Sequence, residues 1–484
     1  MHVEAPELPK LVLRGTPKEI GLQHGYRLQE QIKSQLGIYE EMFEYTTKMD
    51  WPTVLKLAEE FRAPLERKTP SLYLEMQGIA EGAGVGILDI VALNCRSEIS
   101  FGSFSDGCTS LSWKKNENAR VLAQNWDWTT SVQKNLALMD IEISGKPRIC
   151  MVTEAGIIGK IGFNSAGVGT CLNAIKARPC VSSKVPIHIA LRLCLESTSV
   201  ASALQTIASL GGVASSQHIL IADSTTSLGL ELSPLGDVHL KEDEDGFIMH
   251  TNHFIENKNV KEPSWIKGSP ARLERAQQLA HELVNNGIKG DLITPSLLRE
   301  QVFSDTCNAP QSICAQEDPS THHTRRTSTL FNIVMNLDKQ DLGAEVVVGQ
   351  PGSGKESVRR TLSTMKRPRN IPFNEKGGST NQDGRGTIPN TPTQQSGGQN
   401  QGVEACSLKR QTTARRDNHS CANSEVQVPA ISALYRSELE DSSDDTNIAG
   451  GEEVECINEH LRECFCRRCD GDCRNCLHKE EGSC

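Results

Sequence analysis

Between residues 108 and 251 the sequence breaks into short apolar runs of four to eight residues, each bounded by turn-forming residues. They fall at 108–113, 120–125, 136–143, 148–154, 157–164, 167–173, 218–222, 229–233, 238–241 and 247–251. Segments this short cannot build a helical bundle; regular short strands with turns between them predict stacked antiparallel sheets. Helical spacing frames them. Ile20, Leu28, Ile32, Leu36, Tyr39 and Phe43 recur at three, four or eight, which predicts a helix over 18–48. Further helices are expected over 51–67, 71–84, 89–96, 186–196, 199–210 and 270–285, and closing strands at 329–336 and 344–348. Helices, sheet, helices, sheet in this order indicate an α+β layered fold.

The pattern stops near residue 350. Only 3 of the 21 aromatic residues lie beyond it. A body of 350 residues can bury a core, whereas the polar remainder lacks the apolar surface to fold alone. The remainder is polarised, net +8 over 351–416 and net −10 over 417–484, and Gly, Thr, Asn, Gln and Pro dominate 377–401, as in a linker. The body itself is net −8, which argues against nucleic acid as a partner. No apolar stretch reaches about 20 residues, so no transmembrane helix is expected. Met1–Lys10 has no apolar leader segment, so no export is expected and thiols inside a cell should stay reduced. Gly349-x4-Gly354-Lys355 approaches a phosphate loop, but Glu356 stands where Ser or Thr is needed, so no nucleotide site is expected.

Seventeen cysteines are present, eight of them before residue 350. Most of these eight should be small buried hydrophobes. Cys108 differs by its neighbours. Gly107 leaves its carbonyl open to an adjacent side chain, and Thr109 and Ser110 supply hydroxyls beside the thiol.

At this point the sequence resembles the acyl-CoA:6-aminopenicillanic acid acyltransferases, or isopenicillin N acyltransferases, and their hydrolase relatives. The resemblance is carried by Gly15–Gly21 with His24-Gly25, Gly78–Gly82, Leu93–Glu98, Asp106–Thr109, Gln124–Asp127, Thr153–Lys160, Gly162–Val168, His188–Arg192, His250–His253 and Thr329–Ile333, in order over about 10–350. It implies a four-layer αββα sandwich of the N-terminal nucleophile type. It implies that the precursor cuts itself between Gly107 and Cys108, leaving a helical chain 1–107 and a catalytic chain 108–350 that stay together as a heterodimer. The tail then divides into a linker-like 351–455 and a cysteine-rich 456–484. The freed α-amine of Cys108, with a pKa of about 8, can act as base for its own thiol. By the same resemblance Asn252 is the side-chain oxyanion donor, a role worth about 10²–10³-fold in rate. Asp127 orients the amine, and Arg326 pairs with Asp127 in a buried position. Arg325 competes for that last role because the arginine is doubled. Thr129 stands where penicillin-forming relatives carry a second aromatic, which implies a different acyl pocket.

The implied activity is transfer of an acyl group through acyl-Cys108, from a coenzyme A thioester to a β-lactam or peptide-like amine. No permanently bound cofactor is implied. Hydrolysis of a small amide on the same acyl-cysteine is an alternative. A non-catalytic binding protein with a cysteine-rich tail is a second. Cys466, Cys469, Cys473 and Cys476 form two zinc-type pairs, but only three residues separate them, far fewer than in zinc ribbons, so a metal there is a weak expectation. His24, His188, His250 and His253, and the pair Glu154 and Lys160, are expected to be structural. The expected location is the cytoplasm; Gly482-Ser483-Cys484 is not a peroxisomal tripeptide.

Overall fold

A computed structural model describes residues 8–100, 107–263, 268–352, 354 and 356–362. The cysteine-rich segment, its two zinc-type pairs and Asp106 lie outside the described residues. The chain opens with strand β1 (Lys10–Arg14), then helices α1 (Pro17–Arg27), α2 (Gln29–Thr47), α3 (Trp51–Lys68), α4 (Pro70–Ala83), α5 (Ile87–Asn94) and α6 (Arg96–Ile99). Strands β2 (Gly107–Asn116), β3 (Ala119–Thr129), β4 (Leu136–Glu142), β5 (Ile149–Glu154), β6 (Ile161–Asn164) and β7 (Gly169–Ala174) follow. Next come α7 (Ile187–Leu195), α8 (Val200–Ser209), β8 (Gln217–Ala222), β9 (Ser227–Leu232), β10 (Val238–Leu240) and β11 (Phe247–His250). The described part closes with α9 (Ser269–Asn285), α10 (Pro295–Leu298), β12 (Thr327–Asn336), β13 (Gly343–Val348) and β14 (Val358–Thr361).

Among the described residues the strands form two sheets. The eight-stranded sheet runs β1-β4-β5-β6-β7-β8-β9-β10, and the six-stranded sheet runs β11-β2-β3-β12-β13-β14. Every pairing is antiparallel except β1 with β4. The sheets face each other. Gln124 on β3 reaches across to bond the backbone of Leu172 on β7, and Leu172 N–H returns a bond to Gln124 Oε1 at 3.0 Å. On the far side of the six-stranded sheet, Leu111, Trp113, Val121, Ala123, Phe247 and Met249 pack against Leu273, Ala276, Ala280 and Leu283 of α9. Helices α1 and α7 contact strands of the eight-stranded sheet, and the other helices up to α8 pack with them in the same layer, which completes an αββα sandwich.

Three departures from the sequence expectation have local causes. The helix expected over 18–48 breaks at Leu28, whose φ of −115° and ψ of 26° leave helical space without a proline or glycine to announce it. Strand β1 is a short edge strand. The six-stranded sheet runs past 350, because β14 pairs with β13. A strand therefore follows the Gly349–Gly354 turn, where a phosphate loop requires a helix.

Helix α1 begins with a capping box: Thr16 N–H donates to Glu19 Oε2 at 2.8 Å, and Glu19 N–H to Thr16 Oγ1 at 3.4 Å. It then meets α4 backbone to backbone. Gly21 and Gly25 on α1 face Gly78 and Gly82 on α4, each pair spaced i, i+4. A Cβ at Gly78 would stand 2.3 Å from Lys18 O, and one at Gly25 2.3 Å from Ile79 O. His24 lies between these glycines and accepts the Gly156 N–H at Nε2, 3.0 Å away. Burial, helped by the Arg192 charge, pushes its pKa down to about 3.

Two outcomes follow. Gly78→Ala should destabilise by about 1–3 kcal/mol through overpacking. Gly37→Ala, where a Cβ meets nothing within 4 Å in mid-α2, should stabilise by about 0.5–1 kcal/mol. Urea midpoints compare them. Because the folded pKa of His24 lies below the unfolded one, the stability it lends is present above pH ~6.5 and lost as pH falls towards 3. Between pH 7 and 5 the loss is about 2 kcal/mol, and unfolding of His24→Gln should lack that part of the slope.

Candidate active site

Cys108 is the second residue of β2 and sits in a central position of the six-stranded sheet. Its strand neighbour across β3 is Trp126, and Gly107 pairs with Asp127. Alternation along β2 turns Cys108 and Ser110 towards the other sheet and Thr109 towards α9. Ser110 accordingly donates to Asn173 Oδ1 on β7 at 2.6 Å. A Cβ at Gly107 would stand 2.9 Å from Asp127 Oδ2 and would push that carboxylate aside.

Asn252 follows β11 and reaches Cys108. Its Oδ1 accepts the Cys108 backbone N–H at 2.8 Å and Arg272 Nη2 at 2.9 Å. Its Nδ2 donates to Ala174 O at 3.0 Å. Asn252 therefore meets the Cys108 N–H with its oxygen, whereas the sequence led to an amide donor there. Arg272, buried at the start of α9, also donates through Nη1 to Cys108 O at 2.6 Å and Thr109 Oγ1 at 3.2 Å. Sequence reasoning missed it. The signal was an arginine next to Leu273 on the face of α9 that packs against the sheet.

Asp127 is buried, and its Oδ1 accepts the Thr329 hydroxyl at 2.6 Å. Arg326 is not brought to it. Its Nε donates to Thr321 O and its Nη2 to Pro319 O, both at 3.0 Å, and it faces Glu317 at 3.8 Å while partly exposed. The buried Asp127–Arg326 pair expected from the resemblance is thus absent. The backbone of 319–326 folds as a surface turn around the guanidinium, which holds it away from β3. Arg325 is exposed.

Beside the thiol stands a buried charge cluster. Glu154 accepts from Arg96 Nη2 at 2.7 Å, Lys160 Nζ at 2.5 Å, Gln35 Nε2 at 2.6 Å and Tyr39 Oη at 2.6 Å. Arg96 also meets His188, which bonds Gly159 O through Nδ1 at 2.8 Å. The Lys160 ammonium lies 3.7 Å from the centre of the Trp126 ring, and Trp126 stacks on Trp128 at 5.9 Å. Burial opposes the charge on Glu154, but Arg96 and Lys160 outweigh it and hold the carboxyl below its ordinary range. Burial pushes Lys160 down to about 8 against the pull of Glu154. Cys171, facing the same space, has its thiol pushed well up by burial. Glu154 and Lys160 do form the internal pair expected of them. Among the described residues no group of three metal-ligating side chains converges.

The two sheets between helical layers thus bring together a buried cysteine near the start of β2 and an arginine and an asparagine on its backbone. The comparisons give the family. The family model for acyl-coenzyme A:6-aminopenicillanic acid acyl-transferase matches residues 113–352. The acyl-coenzyme A:6-aminopenicillanic-acid-acyltransferase 40 kDa form of Emericella nidulans is 35% identical over 354 residues, covering 73% of this chain and 96% of that relative. This chain belongs to the acyl-coenzyme A:6-aminopenicillanic acid acyltransferase family. Among solved structures, penicillin V acylase from Agrobacterium tumefaciens matches 54% of this chain and 88% of its own at 14% identity and a TM-score of 0.30.

The charge cluster has a measurable consequence. Arg96→Met takes the first counter-ion from a fully buried carboxylate and should cost about 3–5 kcal/mol, read from urea unfolding.

Proposed function

We propose that this protein is a self-processing acyltransferase whose nucleophile is Cys108. The observation that carries the reading is the grip on the backbone of Cys108: its N–H is held by Asn252 and its carbonyl by Arg272. In the precursor the Cys108 sulfur attacks the Gly107 carbonyl carbon. The new C–S bond forms as the Gly107–Cys108 C–N bond breaks, and the amine leaves with a proton. Water then hydrolyses the thioester, releasing the Gly107 carboxylate and the free thiol. Asn252 Oδ1, already on the Cys108 nitrogen, receives the N–H bonds of the new amine. Asp127, opposite Gly107, supplies a carboxylate that orients this amine as base for the thiol. Arg272 adds a fixed positive charge beside the reacting backbone. Thr109 and Ser110 serve as anchors, Thr109 on Arg272 and Ser110 on Asn173. Arg326, tied to Thr321 O and Pro319 O, is left out of this scheme.

In turnover the thiol attacks the carbonyl of a coenzyme A thioester. Coenzyme A leaves as its thiol, and an acyl-Cys108 remains. A β-lactam or peptide-like amine then takes the acyl group and returns the thiol. The family supports the thioester as co-substrate. The two segments remain associated because Gln35, Tyr39 and Arg96 precede the cut and Glu154 follows it. Among the described residues no helix is long and apolar enough to cross a membrane.

Intact-mass measurement should find two chains, 1–107 and 108–484, from the wild type and one uncut chain from Cys108→Ala. A single chain from both sinks the self-processing step. Incubation with 6-aminopenicillanic acid and a panel of acyl-CoA thioesters should give coenzyme A and N-acylated amine together. Release of free acid alone assigns the protein to hydrolysis instead.

A further inference from the structure

The turn that carries Asn252 is held by a carboxylate of the opposite sheet. Glu231 on β9 is buried. Its Oε1 accepts the backbone N–H of Ile255 at 2.5 Å, and its Oε2 accepts those of Glu256 at 2.9 Å and Asn257 at 2.7 Å. Asn257 Nδ2 returns a bond to Glu231 O at 2.9 Å. Three consecutive N–H groups thus converge on one side chain. The same Oε1 meets His250 Nε2 at 2.9 Å, and His250 Nδ1 lies 2.8 Å from Thr251 O. The ring is thus held between the Glu231 carboxylate and the Thr251 carbonyl. Burial opposes charge on Glu231, yet the His250 bond and the backbone N–H groups hold its carboxyl below the ordinary range.

Glu231 therefore grips the chain on both sides of Asn252, two residues before it and three residues after. The grip extends towards the nucleophile's own strand. The His250 ring stacks on His218 at 3.5 Å, His218 Nδ1 bonds Asn173 Oδ1 at 2.9 Å, and that same oxygen accepts Ser110 of β2. Residues 251–254 are irregular backbone with no strand ladder to fix them. The turn itself is tied to α9, where Ser269 Oγ accepts the Asn252 N–H at 2.7 Å, and to Glu262, which accepts the Phe254 N–H at 3.0 Å; Glu231 holds the segments on either side of these bonds.

We propose that Glu231 is a positioning residue for Cys108: by holding His250 and the Ile255–Asn257 N–H groups together, it sets the turn so that Asn252 Oδ1 meets the Cys108 N–H and Arg272 at once. The inference rests on the reading of Cys108 and Asn252 as the processing site. Misplacement of a reacting group by about 1 Å costs about 10²-fold, so the effect is visible as rate. Glu231→Gln keeps the shape, removes the charge and turns an NH2 towards N–H donors.

The test follows cleavage of the full chain, made by cell-free translation and sampled on gels over time, in a double-mutant cycle with Asn252→Ala. Glu231→Gln should slow cleavage by about 10–100-fold. Glu231→Gln/Asn252→Ala should cleave no more slowly than Asn252→Ala alone, since groups acting through one another are not additive. A merely structural loss would slow both backgrounds by the same factor. If Glu231→Gln melts far below the wild type, His250→Gln is read in the same cycle, because it frees one end of the grip and leaves the backbone bonds in place. A wild-type rate for these variants, or equal slowing in both backgrounds, overturns the inference alone. A wild-type chain that stays whole, or Asn252→Ala cleaving at the wild-type rate, overturns the reading of the site and the inference with it.

Discussion

The structure depends on one carboxylate that has no water. Glu154 ends β5 with no exposed surface, in a place where an unpaired charge would cost many kcal/mol. It is tolerable because four donors surround it, and those donors come from different layers. Gln35 and Tyr39 belong to α2, Arg96 opens α6, and Lys160 follows β5 in the chain. Satisfying this one group fixes the distance between the helical layer and the eight-stranded sheet. Because Lys160 rests on Trp126, it also fixes the six-stranded sheet beside Cys108.

The same logic recurs at smaller scale around the thiol. Each polar group near Cys108 is held by a partner from another element: Asn252 by α9 and β7, Asp127 by β12, Ser110 by β7. The site has little freedom of its own. A fixed arrangement of this kind suits chemistry in which a backbone amide must be strained towards a neighbouring sulfur, since preorganised groups need not move as charge develops.

Much of this layout was legible in the sequence, and the reasons are physical. The ten runs from 108 to 251 announced strands because each ends at turn residues, and nearly every one became a strand within a few residues. Strand β1 was not legible, since five residues at a sheet edge carry too short a pattern. The break at Leu28 was hidden because ordinary residues adopt that backbone without a glycine or proline. At the site, Cys108, Asn252 and Asp127 were expected from motifs, and the structure places them near one another at the start of β2 and its neighbours. Arg272 was not found, because an arginine on a helix reads as surface unless one knows that a buried carbonyl waits beneath it. Arg326 is the opposite case: the doubled arginine left Arg325 and Arg326 as rivals for one role, and a local turn holds the Arg326 guanidinium away from β3.

Strand β1 carries a last consequence. It lies parallel to β4 from Lys10 paired with Leu138 to Arg14 paired with Glu142, and it is the outermost strand on that side of the sheet. Without it, β4 would present a row of bare N–H and C=O groups ready to pair with any passing chain. The first strand covers that row and leaves in its place a shorter edge of five residues, with Lys10 and Arg14 at its ends, which discourages self-association. The residues that shield the sheet are made before the sheet exists, so the exposed edge has its cover waiting when the later strands assemble.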